Sequence, residues 1–239
     1  DFSPCQCPTG IARLAEITCR GGWPATIERS SADEQTVARD YLASFHGQSI
    51  PRLGGKELVS DVFASPWPAS LGQLVTNATL VREVYAHDDT SPSDTELREI
   101  ASHLDLLVRS YLIDEVPGCP RVALPQAHAT QAQTLFADPS LPVALLGLSA
   151  ESLLQDWQTF GMVFENLCMR DLDVYARALP DSPAQPLRYY HDDSDLEVDA
   201  IVERTDGSWG ALKLSSASEG ARAASSLIRM RDKLMRDDL

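Results

Sequence analysis

Apolar and polar positions repeat with a helical period along most of the chain. Apolar residues recur every three or four positions, and two of these stretches begin with a capping box, in which Ser31 precedes Glu34 and Ser93 precedes Glu96. The pattern predicts helices over 31–45, 70–88, 93–109, 149–179 and 218–235. Within 137–147 it predicts a short helix that Asp138 caps, that Pro139 begins and that Gly147 ends. The segment 149–179 is the longest, and we expect one continuous helix with a broad buried face there.

A second pattern, strict alternation, is typical of strands and dominates the region near residue 200. The alternation in 194–203 predicts two opposite faces. One face carries Leu196, Val198, Ala200 and Val202, and the other carries Glu197, Asp199, Ile201 and Glu203. Shorter runs at 186–190 and 209–214 predict neighbouring strands, and Asp206-Gly207 supplies a hairpin turn. We therefore expect a three-stranded antiparallel meander, followed by the last helix.

Together these elements predict an α/β protein of the α+β kind in three parts. Residues 1–57 are predicted to form a helical segment that ends in a Gly/Pro-rich loop. Residues 58–118 carry two helices and then a strand at 111–116, which is the order found in a winged helix-turn-helix. Residues 119–239 begin irregularly, through 121–136, and continue into an α/β domain.

The charge of the chain disfavours nucleic acid as a partner. The formal net charge is −15, so free DNA and anionic membranes are repelled on average. The second helix of the predicted winged helix offers Arg98 and His103 as DNA contacts, but acidic residues outnumber the arginine there. A contact with another protein therefore suits this helix better than a contact with DNA.

Hydropathy and cysteine usage bear on the compartment. No apolar run approaches the roughly 20 residues that a membrane helix needs, and the start of the chain lacks the pattern of a signal peptide. The five cysteines are irregularly spaced and offer no second close pair for zinc, which is typical of free thiols in a reducing cytosol. We therefore expect a cytoplasmic protein without a membrane partner.

The last two predicted strands carry the clearest candidate for chemistry. Metal-dependent nucleases hold a divalent ion between carboxylates of adjacent strands and place a lysine near the attacking water. Asp199 lies on the first of these strands and Lys213 on the second. The same residues allow a simpler interpretation, in which Lys213 pairs with Asp199 or Glu197 across the sheet and contributes only to its stability.

Four stretches of the chain together match the motifs of a known family. They are "DPSLPVALLG" (138–147), "TFGMVFENLCMRDLDVYA" (159–176), "YYHDDSDLEVDAIVE" (189–203) and "WGALKL" (209–214). They resemble the C-terminal region of bacterial and archaeal AAA+-like ATPases. In that family an ATPase module precedes a winged-helix linker and a domain of unknown function with a restriction-endonuclease-like fold. The resemblance implies that this chain is the C-terminal part of a longer protein. It also implies that the chain cannot hydrolyse ATP alone, because no phosphate loop is visible.

The resemblance also implies a site for a magnesium ion. The strand aspartate of the family falls on Asp199, its helix glutamate on Glu165 and its strand lysine on Lys213. Glu197 shares the predicted face of Asp199 and offers a further metal ligand. The second strand acid of the family falls on Ala211, so the oxygen ligands that Mg²⁺ requires are incomplete. Asp199, Lys213 and Glu165 are thus the implied catalytic residues, and Asp199, Glu197 and Glu165 the implied metal ligands.

Three functions stay open at this point. The first is an accessory module that binds an upstream ATPase domain or a sister subunit and carries a vestigial nuclease site. The second is a magnesium-dependent DNA endonuclease, and the third is a DNA-binding module that works through 93–109. The first function needs no cofactor in this chain, the second needs Mg²⁺, and ATP enters only through an upstream ATPase domain.

Overall fold

Helices occupy most of the residues that the structure describes. The computed structural model describes residues 8–27, 34–52, 77–85, 91–119, 132–192, 194, 196–215 and 219–236. The helices are α1 (Ile11–Arg20), α2 (Glu34–Ser44), α3 (Ile50–Arg52), α4 (Asn77–Val84), α5 (Asp94–Arg109), α6 (Ser140–Leu145), α7 (Ala150–Gln155), α8 (Trp157–Ala178) and α9 (Gly220–Arg236). The strands are β1 (Ile113–Val116), β2 (Gln133–Phe136), β3 (Leu187–His191), β4 (Glu197–Glu203) and β5 (Trp209–Leu212). The predicted α+β class is confirmed.

The described residues divide between two compact units. The first unit comprises the described residues within Asp1–Leu71, Asn77–Leu112 and Phe136–Leu167. The second unit comprises the described residues within Ile113–Leu135 and Cys168–Leu239. The three-part division at 57/58 and 118/119 and the winged helix stay predictions. The capping box predicted at Ser31 and the first part of the helix predicted over 70–88 lie outside the described residues.

In the first unit, short helices pack against one another. Helix α1 packs on α7, α2 on α6, and α4 on α5. One apolar cluster joins α1, α6, α7 and α8, and consists of Ala15, Cys19, Val143, Leu153, Phe160 and Val163. Helix α6 begins at Ser140, one residue after the predicted start at Pro139. The Asp138 carboxylate accepts a hydrogen bond from the Ser140 backbone N–H at 2.9 Å, and Gly147, which has a φ of +65°, follows the end of the helix as predicted.

The prediction of a Gly/Pro-rich loop over 46–57 is wrong for residues 46–52, which are helical. A turn of π-helix covers Phe45–Ser49, and α3 follows it directly. The Ile50 backbone N–H donates to the Phe45 carbonyl five residues earlier. Both of these side chains are buried, so the wider turn brings two apolar residues to the core that an α-helical turn would separate. Residues 53–57 lie outside the described residues.

The single helix predicted over 149–179 is interrupted at Asp156. This residue has φ −117° and ψ 86°, and its carboxylate accepts hydrogen bonds from the Thr159 N–H at 3.1 Å and the Thr159 hydroxyl at 2.6 Å. Asp156 therefore caps the start of α8. Apolar spacing continues through the break, and the capping side chain decides where one helix ends and the next begins.

Tyr111 ends α5 in a backbone conformation that favours glycine. Its φ is +56°, and it occupies the left-handed position of a Schellman motif. The motif is defined by bonds from the Leu112 N–H to the Leu107 carbonyl and from the Tyr111 N–H to the Val108 carbonyl. The Tyr111 side chain is 83% exposed, so packing does not offset the unfavourable backbone.

We expect Tyr111→Gly to raise the free energy of unfolding by about 0.5 to 1 kcal/mol, since glycine reaches this conformation without a Cβ clash. Urea denaturation measures the difference. Tyr111→Ala is the matched control, because alanine has the same Cβ and should leave stability nearly unchanged. An equal gain in both variants would contradict a backbone origin.

The second unit contains a three-stranded antiparallel sheet in the order β3-β4-β5, as predicted. Two apolar clusters pack against the sheet. One includes Met230 of α9 with Val198 and Ile201, and the other includes Met169 of α8 with Ala200. A two-stranded sheet of β1 and β2 accompanies it. Strand β2 corrects the prediction that 121–136 is irregular throughout, since its Leu135 is buried against the second cluster.

None of the helices in the described ranges combines the length and the apolar character that a membrane span requires. In the described ranges, Cys19, Cys119 and Cys168 are not joined in disulfide bonds. Cys5 and Cys7 lie outside the described residues.

Candidate functional site

A β-bulge in the second strand of the meander shapes the candidate site. One residue of β3, Tyr189, lies opposite two residues of β4, Asp199 and Ala200. Val198 and Ile201, on either side of the bulge, contact the same apolar cluster although they are three residues apart. The predicted strict alternation along 194–203 is therefore wrong, because the extra residue changes which side chains face each side of the sheet.

Asp199 and Lys213 form a buried ion pair next to this bulge. The β4–β5 register pairs Ala200 with Leu212, so its continuation sets Asp199 opposite Lys213. The Lys213 Nζ lies 2.5 Å from Asp199 Oδ1, and the Leu214 backbone N–H donates to Asp199 Oδ2 at 2.5 Å. Asp199 is only 5% exposed, so protein donors engage both oxygens of its carboxylate within the interior.

Glu197 completes a group of three charges around the lysine. Its Oε2 atom lies 3.2 Å from Lys213 Nζ, and its side chain is exposed. The structure thus brings together Asp199, Glu197 and Lys213. Lys213 pairs with both acids, where the sequence predicted a pair with one or the other. Because Asp199 is buried, its contact with the lysine is the stronger of the two, and the exposed Glu197 contact is weakened by solvent.

For each of the two residues, Asp199 and Lys213, burial and the charge of the partner shift the pKa in opposite directions. Burial raises the pKa of the Asp199 carboxyl, against the Lys213 ammonium and the Leu214 N–H, which favour its ionised form. Burial acts to lower the pKa of Lys213, but the Asp199 and Glu197 carboxylates outweigh it, and the lysine pKa is raised. Lys213 therefore keeps its proton at neutral pH and acts as a donor rather than as a base.

An open pocket of about 370 Å³ lies beside the pair, between the ends of β4 and β5 and the first turns of α9. Its polar lining is Glu197, Lys213, Ser215, Glu219, Arg222 and Ser226. Acids and bases are present in equal number, so the lining offers donors and acceptors to a polar ligand without a strong preference for either charge.

The position two residues before the lysine carries no acid. Ala211 pairs with Ile201 in the ladder and packs against the cluster that contains Met230. Within the described part of the chain, no group of three or more His, Cys, Asp or Glu side chains could hold a metal ion. Glu165 is half-buried on α8 and belongs to the first unit. Its role as a ligand stays a prediction.

The two proposed DNA contacts on α5 differ in exposure. Arg98 is exposed, whereas His103 is 8% exposed and its Nδ1 atom lies 2.6 Å from the Glu99 carbonyl oxygen. The buried ring has no surface to offer a phosphate, so the idea of a DNA contact at this pair depends on Arg98.

Asp192 is a buried carboxylate that accepts hydrogen bonds from several groups, and the sequence did not predict this role. It is 2% exposed, and it accepts hydrogen bonds from the Tyr190 hydroxyl at 2.7 Å, the Ser194 N–H at 2.8 Å and hydroxyl at 2.6 Å, and the Leu196 N–H at 3.2 Å. Lys233 of α9 also donates to it. Burial acts to raise the pKa of Asp192, but the bonds from Lys233, Ser194 and Tyr190 outweigh it and lower the pKa. The Asp-x-Ser pattern was the only local signal of this turn.

Asn166 is the second residue that the sequence interpretation missed. Its Oδ1 accepts a bond from the Phe136 N–H at 2.9 Å, and its Nδ2 donates to the Phe136 carbonyl at 2.7 Å. Asn166 follows Phe164 and Glu165 in the stretch 159–176, which is one of the four that carry the family resemblance. Its amide thus satisfies both backbone groups at the end of β2, which identifies a structural role for this residue.

Comparison with known proteins places part of the chain in a family. Residues 11–152 match a family described as a domain of unknown function, DUF8612. The Asp199–Lys213 pair and the pocket lie after the matched residues. No curated protein matches the chain, and no solved structure matches it.

Proposed function

Since the chain belongs to the DUF8612 family, a domain of unknown function, we propose that it is an accessory module that binds a protein partner. The partner we propose is an AAA+-type ATPase domain or a sister subunit. In this proposal the second unit has a nuclease-like fold whose acid–lysine pair stabilises the sheet and performs no catalysis. The motifs that resemble the C-terminal region of AAA+-like ATPases support the choice of partner.

The observation that carries the proposal is that both carboxylate oxygens of Asp199 already accept hydrogen bonds from the protein. Asp199 is only 5% exposed, and a metal ion at this carboxylate would compete for its oxygens with the Lys213 ammonium, at 2.5 Å, and the Leu214 N–H, at 2.5 Å. Breaking a buried ion pair costs about 3 to 5 kcal/mol when one partner is left without compensation. Ala211 supplies no oxygen to offset this loss, and Mg²⁺ requires a nearly octahedral set of oxygens.

One observation favours the alternative of a magnesium-dependent DNA endonuclease. The pocket beside the pair opens next to Lys213 and also contains Arg222 and Glu197. A lysine, a second cation and an exposed carboxylate at one pocket are groups that a phosphodiester substrate and a divalent ion can use. The two functions differ in whether a metal ion binds at Asp199.

We expect titration calorimetry with MgCl₂ and with MnCl₂ to show no saturable binding at millimolar concentration. The physical reason is that protein donors occupy both Asp199 oxygens. We also expect no cleavage of supercoiled plasmid in either metal. Asp199→Asn is the matched variant, since it keeps the shape of the side chain and removes its charge. Saturable Mn²⁺ binding and plasmid cleavage that both disappear in Asp199→Asn would establish the endonuclease and overturn the accessory module.

A further inference from the structure

The open pocket beside the Asp199–Lys213 pair has charged side chains on both of its sides. Its sheet side contains Glu197 and Lys213, and its helix side contains Arg222 and Ser226 of α9. All four residues belong to the second unit. The pocket volume of about 370 Å³ lies near the lower end of the range for ligand pockets, which is roughly 300 to 1,000 Å³. The pocket is therefore sized for a small molecule.

The two cationic side chains of the pocket have hydrogen-bond donors available to a ligand. Arg222 is exposed, and within the described part of the chain it makes no ion pair or hydrogen bond. The Lys213 ammonium has three N–H donors, and Asp199 and Glu197 accept two of them. The Ser226 hydroxyl lines the same space. These donors suit a carboxylate, because an arginine can bind both of its oxygens at once.

Glu197 supplies an acceptor at the same pocket. Its Oε2 atom lies 3.2 Å from Lys213 Nζ, and its side chain is 52% exposed. The other carboxylate oxygen, Oε1, makes no hydrogen bond with any described residue. The buried Asp199 also pairs with Lys213, so Glu197 can turn to a ligand ammonium without leaving the lysine unpaired.

The charges around the pocket decide which class of small molecule is suited to it. A plain anion would pair with Arg222, but it would meet the carboxylates of Glu197 and Glu219 and the net charge of −15. A plain cation would pair with Glu197, but it would meet Arg222 and Lys213. A molecule with one charge of each sign satisfies Arg222 and Glu197 together, and its net charge of zero avoids repulsion by the whole protein.

We propose that this pocket binds a small zwitterion, such as a free amino acid or a short peptide. Arg222 and Ser226 bind the carboxylate of the ligand, and Glu197 accepts a hydrogen bond from its ammonium. Leu214 and Ala223 are the apolar residues of the described lining, so a short side chain of the ligand has enough apolar surface to contact. The inference goes beyond the proposed accessory function and does not depend on it.

The openness of the pocket sets the expected strength of binding. Arg222 and Glu197 are both exposed, and ion pairs in contact with water contribute little. We therefore expect a dissociation constant in the millimolar range.

The test is an NMR titration of the whole isotope-labelled chain at neutral pH in the presence of EDTA. Alanine and alanylalanine are the zwitterionic probes, and they differ in the separation of their two charges. N-acetylalanine carries the carboxylate alone, and alaninamide carries the ammonium alone. We expect at least one zwitterion to shift the amide signals of Ser215, Ala223 and Ser226 to saturation. The two singly charged compounds should bind about threefold to tenfold more weakly.

Two variants identify the charged contacts separately. In Arg222→Gln, the advantage of the zwitterion over alaninamide should disappear, because the carboxylate has lost its partner. In Glu197→Gln, the advantage of the zwitterion over N-acetylalanine should disappear, because the ammonium has lost its partner. Arg229→Gln is the matched control, since Arg229 is exposed on the same helix and is not among the described residues that line the pocket. Circular dichroism checks that all three variants fold.

Four results would overturn the inference. They are a zwitterion that binds no more tightly than the singly charged compounds, an equal loss in Arg229→Gln, tighter binding of inorganic phosphate than of either zwitterion, and no saturable shift with any probe at tens of millimolar. Metal binding at Asp199 in the separate calorimetric titration would overturn the proposed function alone, because EDTA keeps metal ions out of the NMR experiment.

Discussion

Replacing Asp192 with alanine is expected to lower the free energy of unfolding by about 3 to 5 kcal/mol, the range found when one partner of a buried ion pair is removed. The change would leave the Lys233 ammonium and the Tyr190 hydroxyl without the acceptor that both now share. It would also release the turn that Asp192 forms with Ser194. Thermal and urea denaturation of the variant measure the loss.

The chain contains a matched control for this change. Asp206 makes the same local turn, with its Oδ1 accepting from the Ser208 N–H at 2.8 Å and the Ser208 hydroxyl at 2.6 Å. Asp206 is exposed, so Asp206→Ala should cost much less stability than Asp192→Ala, because water replaces the lost hydrogen bonds. If both variants lost the same stability, burial and the contact with Lys233 would not be the cause.

Asp192 should also make the protein sensitive to acid. Its pKa in the folded chain lies below the ordinary value of 3.8, so the unfolded chain binds its proton more readily. The stabilisation is therefore present above pH 3.8 and is lost as the pH falls from there towards the folded pKa. The stability difference between the wild type and Asp192→Asn should shrink over this acidic range. A constant difference from neutral pH to strongly acidic pH would contradict this assignment.

Replacing Gly21 with alanine is expected to lower the free energy of unfolding by about 2 to 6 kcal/mol. The φ of Gly21 is +72°, and a Cβ added there would lie 2.1 Å from Asp138 Oδ1 and 2.6 Å from Ser140 Oγ. With a ψ of −170°, Gly21 has a backbone conformation that glycine alone adopts readily, and it costs about 1 to 3 kcal/mol for a residue with a Cβ. Moving the Asp138 carboxylate would also break its bond to the Gly22 N–H at 2.8 Å, which adds about 1 to 3 kcal/mol.

Gly147→Ala is the control for Gly21→Ala, because it has a backbone cost but no contact between an added Cβ and a side chain. Gly147 has a φ of +65°, and a Cβ added there would meet no atom within 4 Å. This variant should therefore show only the backbone cost of about 1 to 2 kcal/mol. Urea denaturation of both variants measures the difference between them. Equal losses would show that the approach of Asp138 and Ser140 to Gly21 adds nothing to stability.

The contacts around Gly21 lie in the part of the chain that matches the family. Gly21, Asp138 and Ser140 all lie within residues 11–152, which match DUF8612. The Trp23 indole N–H donates to Ser140 Oγ at 2.7 Å, so the turn after α1 is bound to the start of α6 by side chains from both segments. This hydrogen bond joins two residues that lie 117 positions apart in the sequence, and it stabilises the unit.

The sequence by itself determined the features that depend on neighbouring residues. The capping box of Ser93 and Glu96, the hairpin turn at Asp206-Gly207 and the order of strands β3, β4 and β5 were all predicted correctly. Hydrogen bonds within a few residues, or the period of apolar side chains along one element, produce each of these features. The pairing of Lys213 with Asp199 was also predicted, because adjacent antiparallel strands set facing residues close together.

Only the tertiary structure decided which side chains are buried and which have hydrogen-bond partners from distant segments. The bulge at Asp199 and Ala200 depends on the spacing of β3, a different strand, and it reversed the predicted alternation. The burial of His103 and Asp192 and the exposure of Val174 and Tyr175 depend on what packs against each element. Local periodicity carries no information about a distant partner, because the contacts that bury a residue or fill its hydrogen bonds come from segments far away in the sequence.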